Sequence, residues 1–239
     1  MTRAAETIRG GATGAAVAVA PIQAFKQEVD LRTSMFANSL SGSGVPVEKF
    51  KANVVAAVAA NPALLTCDRA SLFRTAMDAA QLGLMVSATL GQFWMLPFND
   101  KKSGKKIVQG IPGYRGYLHL ARQSGELRRV FAHEVYENDE FDVVLGSHKK
   151  VTHKPKLDGP RGNIVGFYCY WEYKDAPEGE GDFEYMSFDD VENIRKRSRS
   201  GDSGPWKTDF VQMGRKTVIR RAKNYLPLSV QKAAVLDAG

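Results

Sequence analysis

The residues in this chain whose types could do chemistry are mostly cations, and they concentrate near its C-terminal end. Between Arg195 and Lys223, ten Lys or Arg residues are opposed only by Asp202 and Asp209. This stretch therefore carries a net charge of +8, against +7 for all 239 residues, so the rest of the chain is nearly neutral. A local excess of this kind indicates a polyanionic partner, although many charged helix faces are simply solvated.

Three of these cations share one face of a predicted helix. At about 3.6 residues per turn, Lys216, Arg220 and Lys223 line up along one side, and apolar side chains fall on the other. Cations at intervals of about 6 Å match the phosphates of an extended strand. We therefore interpret this face as one wall of a DNA groove. Arg221 falls on the packed side and is expected to be a buried arginine with a carboxylate partner.

Aromatic residues are interleaved with these charges. Trp206 lies in a glycine-rich loop between two basic helices, and Tyr114 and Tyr117 flank Arg115. A base can stack on an aromatic ring in any sequence context, so this combination favours single-stranded nucleic acid as the partner. For Trp206, a role as a core anchor is at least as consistent with the sequence.

Two patterns that would indicate an enzyme are incomplete or weak. Residues 201–208 match the spacing of a phosphate-binding P-loop, except that Trp206 replaces the glycine before the lysine, where an indole would block the phosphates. Asp142 with Glu172 and Lys174 could form the metal-binding set of a Mg²⁺-dependent nuclease. This nuclease stays open as an alternative, but such a set occurs by chance in most chains of this length. We predict no nucleotide site and no catalytic residue.

The remaining composition limits the setting of the protein. Cys67 and Cys169 are the only cysteines, which gives neither a disulfide framework nor a zinc motif and suits a reducing cytoplasm. The four histidines lack further ligands at metal spacing, and we interpret all of them as structural. No apolar run approaches the roughly 20 residues of a membrane helix. The sequence thus predicts a cytoplasmic protein with no metal, no cofactor and no membrane contact.

The predicted elements run from helices through a meandering sheet to helices again, which is typical of an α+β fold. Small antiparallel hairpins are expected to pack with helices from both ends of the chain. Helices are predicted at 22–40, 46–61, 69–82, 113–124, from 187 onward and from about 208 to 225, and strands at 92–98, 106–111, 127–136, 141–145, 163–173 and 183–186.

Local signals define several helix ends and the domain limits. Asp68 is the predicted N-cap and Gly83 the C-terminal stop of the helix between them. Ser187 begins a capping-box-like start for a basic helix. Composition divides the chain into a disordered tail at 1–24, a single DNA-binding and annealing domain at 25–230 and a short C-terminal tail at 231–239.

Short motifs occur in colinear order over roughly residues 46 to 230. They lie at 79–84, 90–92, 113–116, 121–125, 134–139, 153–155, 205–210, 215–221 and 225–227. Each alone is weak, but together they are specific and resemble the RecT family of phage single-strand annealing proteins.

The resemblance implies an α+β fold distantly like that of Rad52-type annealing proteins, assembled into rings or helical filaments on DNA. It implies ATP-independent binding of single-stranded DNA and its annealing to a complement through a duplex intermediate, beside a 5′→3′ exonuclease and a host single-strand binding protein. Passive coating of single strands is a further alternative, separated from annealing only by the resemblance. The residues expected to contact DNA are Gln92, Tyr114, Arg115, Arg122, Lys154, Arg197, Trp206, Lys216, Arg220 and Lys223.

Overall fold

The computed structural model describes residues 13–198 and 201–227. The predicted C-terminal tail 231–239 and Arg199 of the basic segment lie outside the described residues, as does the first half of the predicted N-terminal tail. The first helix begins at Thr13, inside that predicted tail. The alanines that suggest a tail by composition also have high helix propensity, which accounts for the helix.

The described chain divides into two compact units, one up to Pro112 and one from Gly113 onward, and the prediction of a single domain stays a prediction. The first unit is helical except for one antiparallel hairpin. Phe25, Phe36 and Phe50 are fully buried among its helices, and large aromatic side chains of this kind dominate core energetics. Its elements are α1 (Thr13–Asp30), α2 (Thr33–Ser39), α3 (Val47–Ala60), a 3-10 helix (Pro62–Thr66), α4 (Arg69–Leu82), β1 (Phe93–Asn99) and β2 (Lys106–Pro112).

The helix predicted over 22–40 is two helices, α1 and α2. At the break, the Arg32 side chain donates to the carbonyl of Glu28 (2.8 Å) and the Thr33 hydroxyl donates to the carbonyl of Asp30 (2.7 Å). These side-chain bonds satisfy carbonyl groups at the end of α1 and let the chain turn. Sequence periodicity alone does not reveal them, because the apolar pattern continues across the break.

Helix α4 begins and ends where its local signals predict. The Asp68 carboxylate accepts a hydrogen bond from the Ser71 N–H (2.8 Å), and Gly83 takes the left-handed conformation at φ 66°. The same helix binds the outer edge of β2, where the Ser71 hydroxyl accepts from the Val108 N–H (2.9 Å) and Thr75 donates to the Val108 carbonyl (3.0 Å). Helix side chains therefore satisfy strand groups that would otherwise be open for pairing.

The second unit is built on a three-stranded antiparallel sheet of order β3-β6-β7, beside a separate β4-β5 hairpin. The predicted α+β class with small antiparallel sheets is thus confirmed. Strand β5 was not predicted, because its lysine-rich sequence is typical of a polar turn. The elements are α5 (Tyr114–Gln123), β3 (Leu127–Tyr136), β4 (Glu140–Val144), β5 (Lys150–Lys154), β6 (Ile164–Tyr173), β7 (Asp182–Ser187), α6 (Phe188–Arg197), α7 (Pro205–Thr208) and α8 (Phe210–Ala222).

Helices cover one face of this sheet. Phe167, Cys169 and Trp171 occupy alternate positions of β6 and pack with Val218 and Ala222 of α8. Buried residues of α5 and α6 join the same core. No helix in the described part of the chain is long and apolar enough to cross a membrane.

Candidate nucleic-acid interface

Helix α8 carries the cations that the sequence places in a DNA groove, and its packing decides where they point. Gly214, Val218 and Ala222 follow one another at intervals of four and are buried against the sheet. Arg220 is exposed and Lys216 is partly exposed on the other side of the helix. The predicted separation of an apolar face from a basic face is therefore present in the structure.

The end of α8 differs from the prediction. The helix ends at Ala222 rather than near Tyr225, because the N–H groups of Tyr225 and Leu226 both donate to the Ala222 carbonyl (2.9 and 3.1 Å) and form a turn. Lys223 is the C-cap residue, yet its backbone stays helical at φ −51° and ψ −32°. Its side chain therefore still continues the basic face.

Two tyrosines of α5 meet this basic face. The Lys216 Nζ lies 5.6 Å from the centre of the Tyr114 ring, and the Lys223 Nζ lies 5.7 Å from the centre of the Tyr117 ring. Arg115 donates from Nε to the Tyr114 hydroxyl (3.1 Å). Cations within about 6 Å of a ring face are attracted to its π electrons. The structure thus brings together four of the predicted contact residues, which the sequence places about 100 positions apart: Tyr114, Arg115, Lys216 and Lys223.

Carboxylates pair with some cations of the basic stretch 195–223 and leave others unpaired. Among the described residues, Lys216, Arg220 and Lys223 have no carboxylate within salt-bridge distance. Arg220 lies near Tyr117, whose phenol pKa is raised by burial and lowered in part by the Arg220 charge. The paired cations are Arg195 with Glu192 and Asp202, Arg215 with Glu134, and Arg221 with Glu184. The uncompensated charge of α8 therefore lies on the face that points away from the sheet.

Arg221 was expected to be a buried arginine with a carboxylate partner, and only the partner is present. Its Nε lies 2.6 Å from Glu184, but half of its side chain is exposed. The expectation of burial is wrong because Arg221 sits at the flank of the packed face, where a long side chain reaches solvent.

Arg122 and Arg197 are exposed cations in the last turns of α5 and α6. Arg197 donates to the carbonyl of Asn193 (3.2 Å). Cations are favoured at a helix C-terminus because the carbonyl groups there carry partial negative charge. In the described residues neither arginine makes a cation–π contact with Tyr114 or Tyr117. They add positive charge to this unit but lie apart from the contacts between the tyrosines of α5 and the lysines of α8.

Trp206 has the core role that the sequence left open. Only 5% of it is exposed, and its ring centroid lies 6.0 Å from that of Phe210 within the core beneath the sheet. A base cannot stack on an indole in this position. In the P-loop-like stretch 201–208, residues Pro205–Thr208 form the short helix α7 rather than a loop.

Gln92 and Lys154 have other partners. Gln92 belongs to the first unit, and its side-chain carbonyl accepts from the Met85 N–H (2.9 Å), so it supports the loop before β1. Lys154 is exposed at the end of β5, with its Nζ 3.6 Å from Glu140. In the described residues, Lys154 makes no ion pair or hydrogen bond with the tyrosines of α5.

The residues of the nuclease alternative are engaged differently. Glu172 is fully buried, and its two carboxylate oxygens accept from Arg128 and Arg129. Burial raises its pKa, but these hydrogen bonds and one from the Gly179 N–H lower it to about 2. Asp142 is exposed on β4. No group of three or more His, Cys, Asp or Glu in the described chain is placed to hold a metal ion.

An aromatic face that the sequence patterns did not predict lies on the other side of the sheet. Phe131 and His133 of β3 pair across the sheet with Tyr170 and Tyr168 of β6. Phe141 of the β4-β5 hairpin adds a ring 5.8 Å from that of Tyr168. Alternation of aromatic residues along β3 and β6 is the signal that could have revealed this face.

Comparison with known proteins places the chain among relatives. Residues 48–238 match the model of the RecT family. The chain is 40% identical to Protein RecT of Escherichia coli (strain K12) over 182 residues, which is 74% of this chain and 65% of that protein. It is 25% identical to the uncharacterized protein YqaK of Bacillus subtilis (strain 168) over 198 residues, 80% of this chain and 64% of that protein. The match thus spans slightly less than two thirds of each relative. The resemblance carried by the motifs is confirmed, and the chain belongs to the RecT family.

Proposed function

We propose that this protein binds single-stranded DNA and anneals it to a complementary strand without ATP. The observation that carries the proposal is the basic face of α8, where Lys216, Arg220 and Lys223 have no carboxylate partner among the described residues while two of them contact Tyr114 and Tyr117. A face with uncompensated charge beside aromatic rings suits a polyanion that carries bases. Family membership supports the same conclusion.

The basic face would act by neutralising phosphates. Two polyanionic strands repel each other, so annealing requires their charge to be reduced and their bases to be left free to pair. This requires no residue that makes or breaks a bond. Three phosphate contacts would give a log–log dependence of affinity on salt with a slope of about −2, since each contact on a single strand contributes about −0.7.

We further propose that the protein self-assembles on DNA, as a ring or a helical filament in a Rad52-like arrangement. Assembly raises the effective concentration of binding faces along one strand, so weak single contacts add up to stable binding. The annealed duplex would be the product held by the same assembly. A 5′→3′ exonuclease that exposes the strands and a host single-strand binding protein that covers them are the proposed partners.

The test is annealing of two complementary dye-labelled oligonucleotides in EDTA without ATP, followed by energy transfer. Much faster duplex formation than in buffer, with both strands intact, is the expected result. Retardation of single strands without faster pairing would make the protein a passive coat. Cleavage that appears only after Mg²⁺ is added would favour the nuclease, despite the engagement of Glu172 by two arginines.

The site assignment is tested with Lys216→Glu/Arg220→Glu. The matched control is Lys26→Glu/Lys49→Glu, which changes the net charge equally at exposed lysines of α1 and α3. The α8 variant should lose binding to single-stranded DNA at moderate salt, and the control should bind like the wild type. An equal loss of binding in the two variants would mean that overall charge, rather than the α8 face, binds DNA.

A further inference from the structure

The aromatic face of the β3-β6-β7 sheet forms a continuous set of rings. The centroids of Phe131 and Tyr170 are 5.2 Å apart, and those of His133 and Tyr168 are 6.0 Å apart. Phe131 and His133 are also neighbours, at 5.3 Å. Aromatic pairs at these distances attract each other, so the rings stabilise one another in a fixed array. Phe131 and Tyr170 are partly exposed, and His133 is exposed.

A cavity of about 320 Å³ opens beside these rings. Phe131, His133 and Tyr168 line it together with His153 and Pro155 and with the ion pair of Glu134 and Arg161. Pockets for small ligands range from about 300 to 1,000 Å³, so this one is at the lower end and suits a single planar group such as a nucleobase.

One wall of the cavity is held rigidly by hydrogen bonds. One ring nitrogen of His153, Nδ1, lies 3.2 Å from the Tyr168 hydroxyl, and the other, Nε2, lies 3.1 Å from the Asp139 carboxylate. Asp139 is in turn bound by Arg161, which together with the other hydrogen bonds holds the pKa of Asp139 well below its usual range. His153 therefore has no ring nitrogen left for a ligand, and it serves to fix the wall.

His133 differs from His153 in this respect. Its imidazole makes no hydrogen bond in the described part of the chain. Although the ring reaches solvent, partial desolvation and the nearby Arg215 charge lower its pKa, which favours the uncharged imidazole at neutral pH. A neutral imidazole offers one donor and one acceptor, the combination that the edge of a nucleobase can satisfy.

Two arginines lie at one end of the aromatic face. Arg128 and Arg129 share the buried carboxylate of Glu172, and the charge of Glu178 also acts on Arg129. The Arg129 side chain is 46% exposed, so part of its guanidinium faces solvent. The exposed part of the Arg129 guanidinium can donate a hydrogen bond to a phosphate next to a stacked base.

We propose that this aromatic face is a second contact for single-stranded DNA, which binds an unpaired base by stacking on Phe131 with His133 at its edge. It differs from the proposed α8 face, whose unpaired cations would neutralise phosphates. The inference rests on the proposed function, because its ligand is the same single strand. Its consequence is that unpaired DNA is preferred over duplex, whose bases are already stacked and paired.

The test compares two oligonucleotides of equal length, oligo-dT and an abasic deoxyribose-phosphate strand, by fluorescence anisotropy. Stacking of one base strengthens binding roughly fivefold to 150-fold, so the wild type should prefer oligo-dT by at least about fivefold. Phe131→Leu keeps the apolar volume and removes the aromatic ring, and it should abolish most of this preference. His133→Ala should reduce the preference as well.

The matched control is Phe98→Leu, the same change at an exposed phenylalanine of β1. It should keep the preference for oligo-dT. Circular dichroism and a urea midpoint for each variant show that it is folded. Duplex binding should be the same for Phe131→Leu and the wild type.

Each other outcome overturns the inference in a different way. Equal binding of both strands by the wild type would mean that no base is stacked, while binding that still depends on Lys216 and Arg220 would leave the proposed function intact. An unchanged preference in Phe131→Leu would place the stacked base elsewhere. If Phe131→Leu changes the sedimentation coefficient but keeps the preference for oligo-dT, the aromatic face is a contact with a second copy of this chain. If neither strand binds, the proposed function and the inference fail together.

Discussion

Gly214 allows α8 to lie close to the sheet, and replacing it with alanine should destabilise the protein. A Cβ at this position would meet three ring atoms of Phe167, of which even the farthest, Cε2, would lie 2.6 Å away. Real Cβ contacts are longer than 3.0 Å, so either the ring or the helix must move. Phe167 is fully buried, and its ring centroid lies 6.1 Å from that of Phe210, so the ring has little room.

Two opposing effects set the size of the change. In an exposed helix interior, Gly→Ala would stabilise by about 1 kcal/mol through helix propensity. Overpacking of a core costs about 1–3 kcal/mol, and a clash with three atoms of a confined ring belongs at the upper end. We therefore expect Gly214→Ala to lower the free energy of unfolding by about 2 kcal/mol.

Urea unfolding of Gly214→Ala, Phe167→Leu and the double variant measures the change in the free energy of unfolding. The midpoint should fall in each single variant while the slope stays constant. In the double variant the shortened side chain makes room for the methyl group, so the total loss should be smaller than the sum by about 0.5–3 kcal/mol. A Gly214→Ala variant that is more stable than the wild type would refute the close packing of α8 on β6.

Two further predictions concern charged side chains. The pKa of Glu172 is lowered from 4.5 to about 2 in the folded protein, so its ionised form contributes stability above about pH 4.5 that is lost as the pH falls toward 2. The urea midpoints of the wild type and Glu172→Gln should therefore differ more at pH 7 than at pH 3. An equal difference at the two pH values would show that the charge of Glu172 does not contribute to stability. Arg221→Ala breaks a half-exposed ion pair with Glu184 and should cost less than about 1 kcal/mol. The same variant should keep the salt dependence of DNA binding, whereas a slope reduced by about 0.7 would place a phosphate on Arg221.

The parts of the fold that depend on local interactions could be predicted from the sequence. Asp68 and Gly83 delimit α4 because a side-chain cap and a left-handed glycine act within one turn of the helix. The capping box of Ser187 and Asp190 likewise starts α6 as predicted. The segment from Leu127 to Tyr136 is a strand over the predicted range, since its β-branched and aromatic residues favour a pleated surface.

The parts of the fold and of the site that depend on distant residues could not be predicted from the sequence. The basic face of α8 follows from helical spacing, but its contact with Tyr114 requires knowing that α5 packs beside α8. Trp206 has the same sequence signal whether it stacks on a base or packs in the core, and only the tertiary structure separates the two. The aromatic face was missed because its residues lie on different strands, and strand pairing brings Phe131 to Tyr170.

Ion pairs on both flanks of α8 explain why its remaining cations point outward. Val218 is at the centre of the buried face, and Arg215 and Arg221 stand three residues before and after it, on its two flanks. Arg215 pairs with Glu134 of β3 and Arg221 with Glu184 of β7, the two outer strands of the sheet. Partly exposed pairs of this kind add little stability, so their effect is mainly to fix the rotation of the helix about its axis. With that rotation fixed, the cations opposite Val218 have no carboxylate to meet, and a phosphate backbone can supply the missing negative charge.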